Sequence, residues 1–430
     1  MLSTIEIILL SFPLIFVLLS IAFVPLLSPK IWHKFEKEIL FTTSIISIIF
    51  TYSFIESSSE LLYETLFHDY IPFIIMLFTL FTLSCGIHIK IDANSSTFNN
   101  IIFLSICSLF ASFIGTTGAS MLFIRPFLKM NEDRIYKSHL VIFFIFLVSN
   151  IGGLLTPLGD PPLLLGYLHG IEFSWFIRSL SPGWFIYIIS CLSVLYIIDS
   201  IILRKERKIF DNNHGFKCSI KGIHNIILIL FTVFIVFTNS EYSLFLFNFE
   251  ISFSTIKNII LLSFCLISFI KSKNNKEHID FSPFSEVART FLVIFIVIAP
   301  VIFILNENSE DIHHFIVDLS KGHSISNIYF WMCGMASSFL DNAPSYLLFF
   351  NIAGGNPQEL MYVQKDILVA ISISSVVMGS MTYIGNAPNM MVRSISEKKG
   401  IKMPSFIGYI MWSALIILPI SIIINIFIIQ

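Results

Sequence analysis

The chain has 430 residues, 55% of them hydrophobic and only 13% charged, with a formal net charge of −2 and a mean hydropathy of +0.84. That balance excludes a soluble globular domain, and the lack of a basic stripe or known binding module excludes nucleic-acid recognition. Six cysteines, Cys85, Cys107, Cys191, Cys218, Cys265 and Cys333, stand singly without metal-ligand spacing and are expected to pack the core.

Apolar runs such as Ile5 to Leu27, Gly183 to Leu203 and Phe406 to Ile429 reach or exceed the roughly 20 residues that cross a hydrocarbon core. The first run opens with Glu6 and has no small-residue cleavage site before Lys30, so it reads as a retained span. With an external N-terminus, spans near 5–28, 39–55 and 70–88 place Lys30, Lys34 and Lys37 inside and Glu56, Glu60, Glu64 and Asp69 outside. If residues 100–124 crossed completely, Arg125, Lys129, Arg134 and Lys137 would fall outside, against the positive-inside bias. A re-entrant hairpin over 100–124 removes that conflict. A broken span over 139–167 and a span near 183–203 then return Arg204, Lys205, Arg207 and Lys208 to the inside.

Spans near 223–239, 254–271 and 289–305 continue the alternation, with Glu241, Glu250, Glu307, Glu310 and Asp311 outside and Lys271, Lys273 and Lys276 inside. A second hairpin over 324–353 enters from the opposite side, followed by a broken span over 366–392 and a last span near 406–429. The expected organisation is a first repeat over 1–203, a cytoplasmic linker over 204–222 and an inverted second repeat over 223–430. The fold class is an all-α polytopic membrane protein with lipid as its surroundings. His313 and His314 fall in an external acidic loop and read as surface residues. No P-loop is present to drive transport by ATP.

Four motifs support the repeat. SFIGTTGAS from Ser112 pairs with SFLDNAPSY from Ser338, and TPLGDPP from Thr156 pairs with TYIGNAP from Thr382; each pair is separated by 226 residues. Gly and Pro clusters at membrane depth are tolerated only where protein or a wet cavity satisfies the freed backbone. Gly159, Pro161, Pro162, Pro344, Gly385 and Pro388 therefore mark helix breaks. Half-helix C-termini suit a cation and half-helix N-termini an anion, so the breaks form a binding site without a cofactor.

Asp160 and Asp341 are the only carboxylates in these motifs. An aspartate at the bilayer centre costs about 2.5 to 3.5 kcal/mol on insertion scales, which points to a function. A desolvated carboxylate can hold a proton or a metal cation but not both, the minimum needed for exchange. Asp341, at a hairpin tip, is the stronger candidate, whereas Asp160, before two prolines, reads equally well as a helix cap. Thr117, Ser149, Asn150, Thr156, Asn342, Thr382 and Asn386 supply neutral oxygens and amides for an ion or a carboxylate, or else hydrogen bonds between helices.

Together, SNIGGLLTPLGDPPLLLGYL, ASFIGTTGASMLFIRPFL, SSFLDNAPSYLLFF and MTYIGNAPNMMVRSI resemble the NhaD-type bacterial sodium:proton antiporters. These belong to the ion-transporter superfamily that also holds arsenite pumps, citrate:metal carriers and dicarboxylate symporters. The resemblance covers nearly the whole chain. It implies a homodimeric, elevator-type carrier of the bacterial inner membrane, in which hairpins and broken helices move against a scaffold. By the same resemblance, Thr116 joins Thr117, Asn150, Thr156, Asp160, Asp341, Asn342, Thr382 and Asn386 at the site, with Na+ near Asp341, Asn342 and Thr382. The implied function is exchange of sodium for protons, not enzymatic catalysis, with Na+ and H+ as the transported or coupling ions. A citrate or dicarboxylate carrier is the alternative. The dicarboxylate symporters carry Ser-Asn-Thr at both hairpin tips, where this chain has Gly-Thr-Thr-Gly and Asp-Asn-Ala-Pro. Arsenite export is less attractive because the motifs lack Cys, and a non-transporting membrane subunit is the remaining rival.

Overall fold

The computed structural model describes residues 3–206, 217–238, 243–246, 249–272, 281–308, 318, 322 and 324–429. Arg207, Lys208, Glu241, Lys273, Lys276, Glu310, Asp311, His313 and His314 lie outside the described residues, as does the side chain of Cys218. Among the described residues, eight helical segments are long and apolar enough to cross a membrane. The protein is a multi-pass, helical membrane protein.

Helix α1 (Thr4–Leu27) starts at a reciprocal cap: the Ser3 N–H donates to Glu6 Oε2 at 2.6 Å, and the Glu6 N–H donates to Ser3 Oγ at 3.4 Å. Helix α2 (Pro29–Phe54) follows after one residue, with Pro29 occupying the first turn, where its missing N–H costs nothing. It thus begins ten residues before the expected span near 39–55. The third crossing comprises α3 (Ser58–Tyr63), a π-helical stretch (Glu64–Tyr70) and α4 (Ile71–Cys85). This segment also begins before the expected boundary.

The first hairpin consists of α5 (Thr97–Ile114) and α6 (Thr116–Met130), separated by Gly115 at φ 82°. The broken span is α7 (Ser138–Leu147), a 3₁₀ turn (Ile151–Leu155) and α8 (Pro161–Leu168). Helix α7 buries every residue from His139 to Leu147, as befits a helix apolar on all sides at the centre of the protein. Helix α9 (Phe173–Glu206) is longer at its start than the expected span near 183–203.

Helices α10 (Ile223–Phe237), α11 (Phe253–Ser272) and α12 (Ser282–Glu307) precede the second hairpin. That hairpin is α13 (Ile325–Leu340) and α14 (Asn342–Ile352), separated by Asp341. A short α15 (Pro357–Tyr362) leads to the second broken span: α16 (Lys365–Met378), a 3₁₀ turn (Gly379–Met381) and α17 (Ala387–Lys398). Helix α18 (Phe406–Ile428) is the last.

Among the described residues, two small antiparallel sheets depart from a purely helical fold. Strand β1 (His88–Asp92) pairs with β2 (Lys217–Lys221), His88 opposite Lys221, while β3 (Ser243–Leu246) pairs with β4 (Phe249–Ser252). The connection over 204–222 is therefore partly anchored to the segment after α4. Alternation is too short over four or five residues to signal these strands.

Arg134 also departs from its sequence reading as a loop charge. Its side chain is fully buried, donating from Nη2 to Asp199 Oδ1 at 2.6 Å and from Nε to Glu206 Oε2 at 3.0 Å. His139 Nε2 lies 2.9 Å from the same Asp199 oxygen. The cluster ties the α6–α7 connection to the end of α9.

Candidate functional site

The two copies of the motif build the same local structure. In the first copy, the Ser112 hydroxyl donates to the Gly152 carbonyl at 2.5 Å, and the Thr156 hydroxyl donates to the Ser112 carbonyl. In the second, the Ser338 hydroxyl donates to the Met378 carbonyl at 3.2 Å, and the Thr382 hydroxyl donates to the Ser338 carbonyl at 2.5 Å. Each threonine also accepts from the N–H two residues on, Leu158 or Ile384, at 3.2 Å. These bonds pin each hairpin tip to the adjacent broken helix and satisfy backbone that the break frees.

Glycine is required inside both breaks. A Cβ on Gly159 would lie 2.2 Å from the Gly153 carbonyl oxygen, and one on Gly385 would lie 2.6 Å from that of Gly379. Pro161 and Pro388 then occupy first-turn positions of α8 and α17, where proline favours restarting a helix.

Asp160 stands where the two copies meet, and its residue is only 2% exposed. Thr116 Oγ1 donates to its Oδ1 at 2.5 Å, Asn386 Nδ2 donates to the same oxygen at 3.3 Å, and Asn342 Nδ2 donates to Oδ2. All three donors are neutral, and two of them come from the second half of the chain. Asp160 does not cap α8 through its side chain. The cap reading is therefore corrected: the carboxylate turns across the site, drawn by the convergence of three side-chain donors.

Asp341 does act locally. Its Oδ1 accepts the N–H of Asn342 at 2.7 Å, and it is the single non-glycine residue with positive φ among the described residues, at 74°. Its carboxylate serves the start of α14, while its backbone takes the conformation that Gly115 takes in the first copy. Asp160 thus lies at the cross-copy junction and Asp341 at a helix start, and both line the adjoining cavity.

The remaining candidates divide between two tasks. Asn150 Nδ2 donates to Asn389 Oδ1 at 2.8 Å, and Asn386 Nδ2 approaches the Ser149 carbonyl at 3.1 Å and Asn150 Oδ1 at 3.2 Å. These residues join the copies. Thr156 and Thr382 hold the breaks, so Thr382 does not present a free hydroxyl to a cation beside Asp341. Asn342 Oδ1, by contrast, is buried without a hydrogen-bond partner among the described residues. Thr117 lines the adjoining cavity.

Asn389, Ser120, Ser112 and Ser338 are not among the site residues expected from sequence. Asn389 also donates to the carbonyls of Gly379 at 2.9 Å and Thr382 at 3.0 Å, and Ser120 lies 2.7 Å from Ser149, oxygen to oxygen. The shared spacing of 226 residues flagged Ser112 and Ser338 as motif positions. Nothing comparable flagged Asn389, whose counterpart is Leu163.

A cavity of about 50 Å³ opens beside Asp160, enough for a few water molecules or a dehydrated cation. Its polar lining comprises Thr116, Thr117, Asp160, Asp341 and Asn386, and among the described residues no Lys or Arg lines it. The starts of α6, α8, α14 and α17 lie at the breaks, so four positive helix ends accompany the two carboxylates. This arrangement can attract a cation at a carboxylate and an anion at the helix starts. Among the described residues, no group of three or more His, Cys, Asp or Glu could hold a metal ion, so a cation at Asp160 would draw on neutral oxygens.

A family model described as "Putative citrate transport" matches residues 3–429. No curated protein matches the chain.

Proposed function

The chain belongs to the family so described, as a secondary-active membrane transporter of the ion-transporter superfamily, and on that premise we propose that it carries citrate or a similar small carboxylate coupled to cations bound at Asp160. The observation that carries the reading is Asp160 itself, a buried carboxylate with three neutral donors at the junction of two helix breaks. A cation there neutralises its charge, with Thr116 Oγ1 and Asn342 Oδ1 as further oxygen ligands after modest side-chain rotation. The helix starts at Thr116, Pro161, Asn342 and Ala387 favour the negative substrate. Loading both partners lowers the net charge that must cross an apolar barrier.

The coupled motion belongs to the same proposal: the paired hairpins and broken helices move as a unit against the remaining helices, in an inverted-repeat arrangement, within a homodimer. Support comes from the bonds repeated at a spacing of 226 residues and from the contacts that cross between copies at Asp160, Asn150 and Asn386.

A second reading, Na+/H+ antiport, is favoured by the small cavity and its lack of Lys or Arg. Purified protein in proteoliposomes separates the two. The expected result is uptake of labelled citrate or succinate that depends on a Na+ or proton gradient and falls at least about 100-fold in Asp160→Asn. No carboxylate uptake, together with Na+-driven alkalinisation or acidification in carboxylate-free buffer, would replace the first reading with the second.

A further inference from the structure

A wall of apolar side chains from two helices outside the four motifs also lines the cavity. Leu77, Leu80 and Phe81 from α4 and Phe284, Val287 and Phe291 from α12 form this wall. Its rings support one another across the two helices. Phe81 and Phe284 have centroids 5.7 Å apart, Phe78 backs Phe284 at 5.1 Å, and Phe73 packs on Phe291 at 4.9 Å. Such paired rings resist displacement more than isolated side chains would.

A cargo in the cavity meets charge and hydrogen-bond donors from the motif residues and none from the wall. Charged groups turned toward the wall would lose water without gaining partners, which is strongly unfavourable. The bulk of the Phe81 and Phe284 rings also restricts the cavity they line. Both constraints favour a dehydrated cation or a compact carboxylate whose charged groups point one way.

We propose that Phe81 and Phe284 determine specificity, excluding bulky carboxylates with charges on several sides and admitting compact ones with hydrocarbon on one face. The proposal rests on the carboxylate-carrier reading and names the substrate class more narrowly: short mono- and dicarboxylates ahead of citrate. The two rings act as a size and polarity filter; they do not bind the cation, which remains at the polar lining.

The test uses the full chain in proteoliposomes, with labelled acetate, succinate and citrate measured separately from ²²Na+ flux. Wild-type protein is expected to favour acetate or succinate over citrate. Phe81→Ala and Phe284→Ala should each raise the citrate-to-succinate uptake ratio at least about tenfold, and Phe284→Trp should lower uptake of the larger acid. Phe185→Ala, at an exposed position on α9, should leave the ratio unchanged. Phe81→Leu and Phe284→Leu provide milder truncations if an alanine variant does not fold. An unchanged ratio in variants that still move succinate would overturn the filter while leaving the carrier reading intact. If wild-type protein moves none of the three acids, the carrier reading fails and the filter fails with it.

Discussion

At position 341 an aspartate adopts φ 74° and ψ 147°, a backbone region that is nearly exclusive to glycine. Its carboxylate bonds the next N–H, so the residue combines a strained backbone with a helix cap. Asp341→Gly should therefore be more stable than Asp341→Ala by about 1–3 kcal/mol, because only glycine relieves the strain while both lose the cap. Thermal unfolding in one detergent provides the comparison; equal melting temperatures would contradict the argument. From sequence, the position was legible as a hairpin tip because Gly and Asp occupy equivalent motif sites. Which aspartate would cap and which would cross the site was not legible, since that depends on Thr116, Asn342 and Asn386 converging from three separate segments.

Between elements, Thr156 and Thr382 fasten each hairpin to its broken helix, and the bond patterns agree in both copies. Thr382→Val preserves shape but leaves the Ser338 carbonyl and the Ile384 and Gly385 N–H groups without this partner. A loss of about 1–3 kcal/mol is expected, read as a lower melting temperature, with Thr382→Ser retaining most of it. Gly159→Ala should be worse tolerated than Gly408→Ala, because its Cβ meets fixed backbone at 2.2 Å whereas that of Gly408 meets the Ser405 hydroxyl at 3.2 Å. Yields of folded protein by size-exclusion chromatography would show the difference. The breaks themselves were readable from Gly, Pro and small polar residues in apolar surroundings. Helix starts were less readable: α2 and α9 extend beyond the most apolar stretch because propagation continues into polar residues once a helix is nucleated.

Across the whole molecule, Arg134, His139, Asp199 and Glu206 make a buried charged cluster that joins distant parts of the first half. Removing Arg134 leaves two buried carboxylates without their principal partner, so Arg134→Ala should cost about 3–5 kcal/mol. Arg134→Lys should recover only part of this, because one ammonium cannot reproduce the fork that reaches Asp199 and Glu206. Melting curves of both variants test the prediction. Asp199 carried a sequence signal, a lone acid within the apolar run Gly183 to Leu203, but its partners lie 60 or more residues earlier.

The acids contributed by the two copies occupy unlike places. Asp160 corresponds to Asn386, and Asp341 corresponds to Gly115. The paired motifs therefore share a scaffold of matching bonds while charge is distributed unevenly upon it. In the proposed inverted-repeat arrangement, a passenger approaching from one compartment would encounter a different sequence of acid, amide and glycine from one approaching from the other, so half-saturation in everted and right-side-out vesicles should differ even at equal driving force.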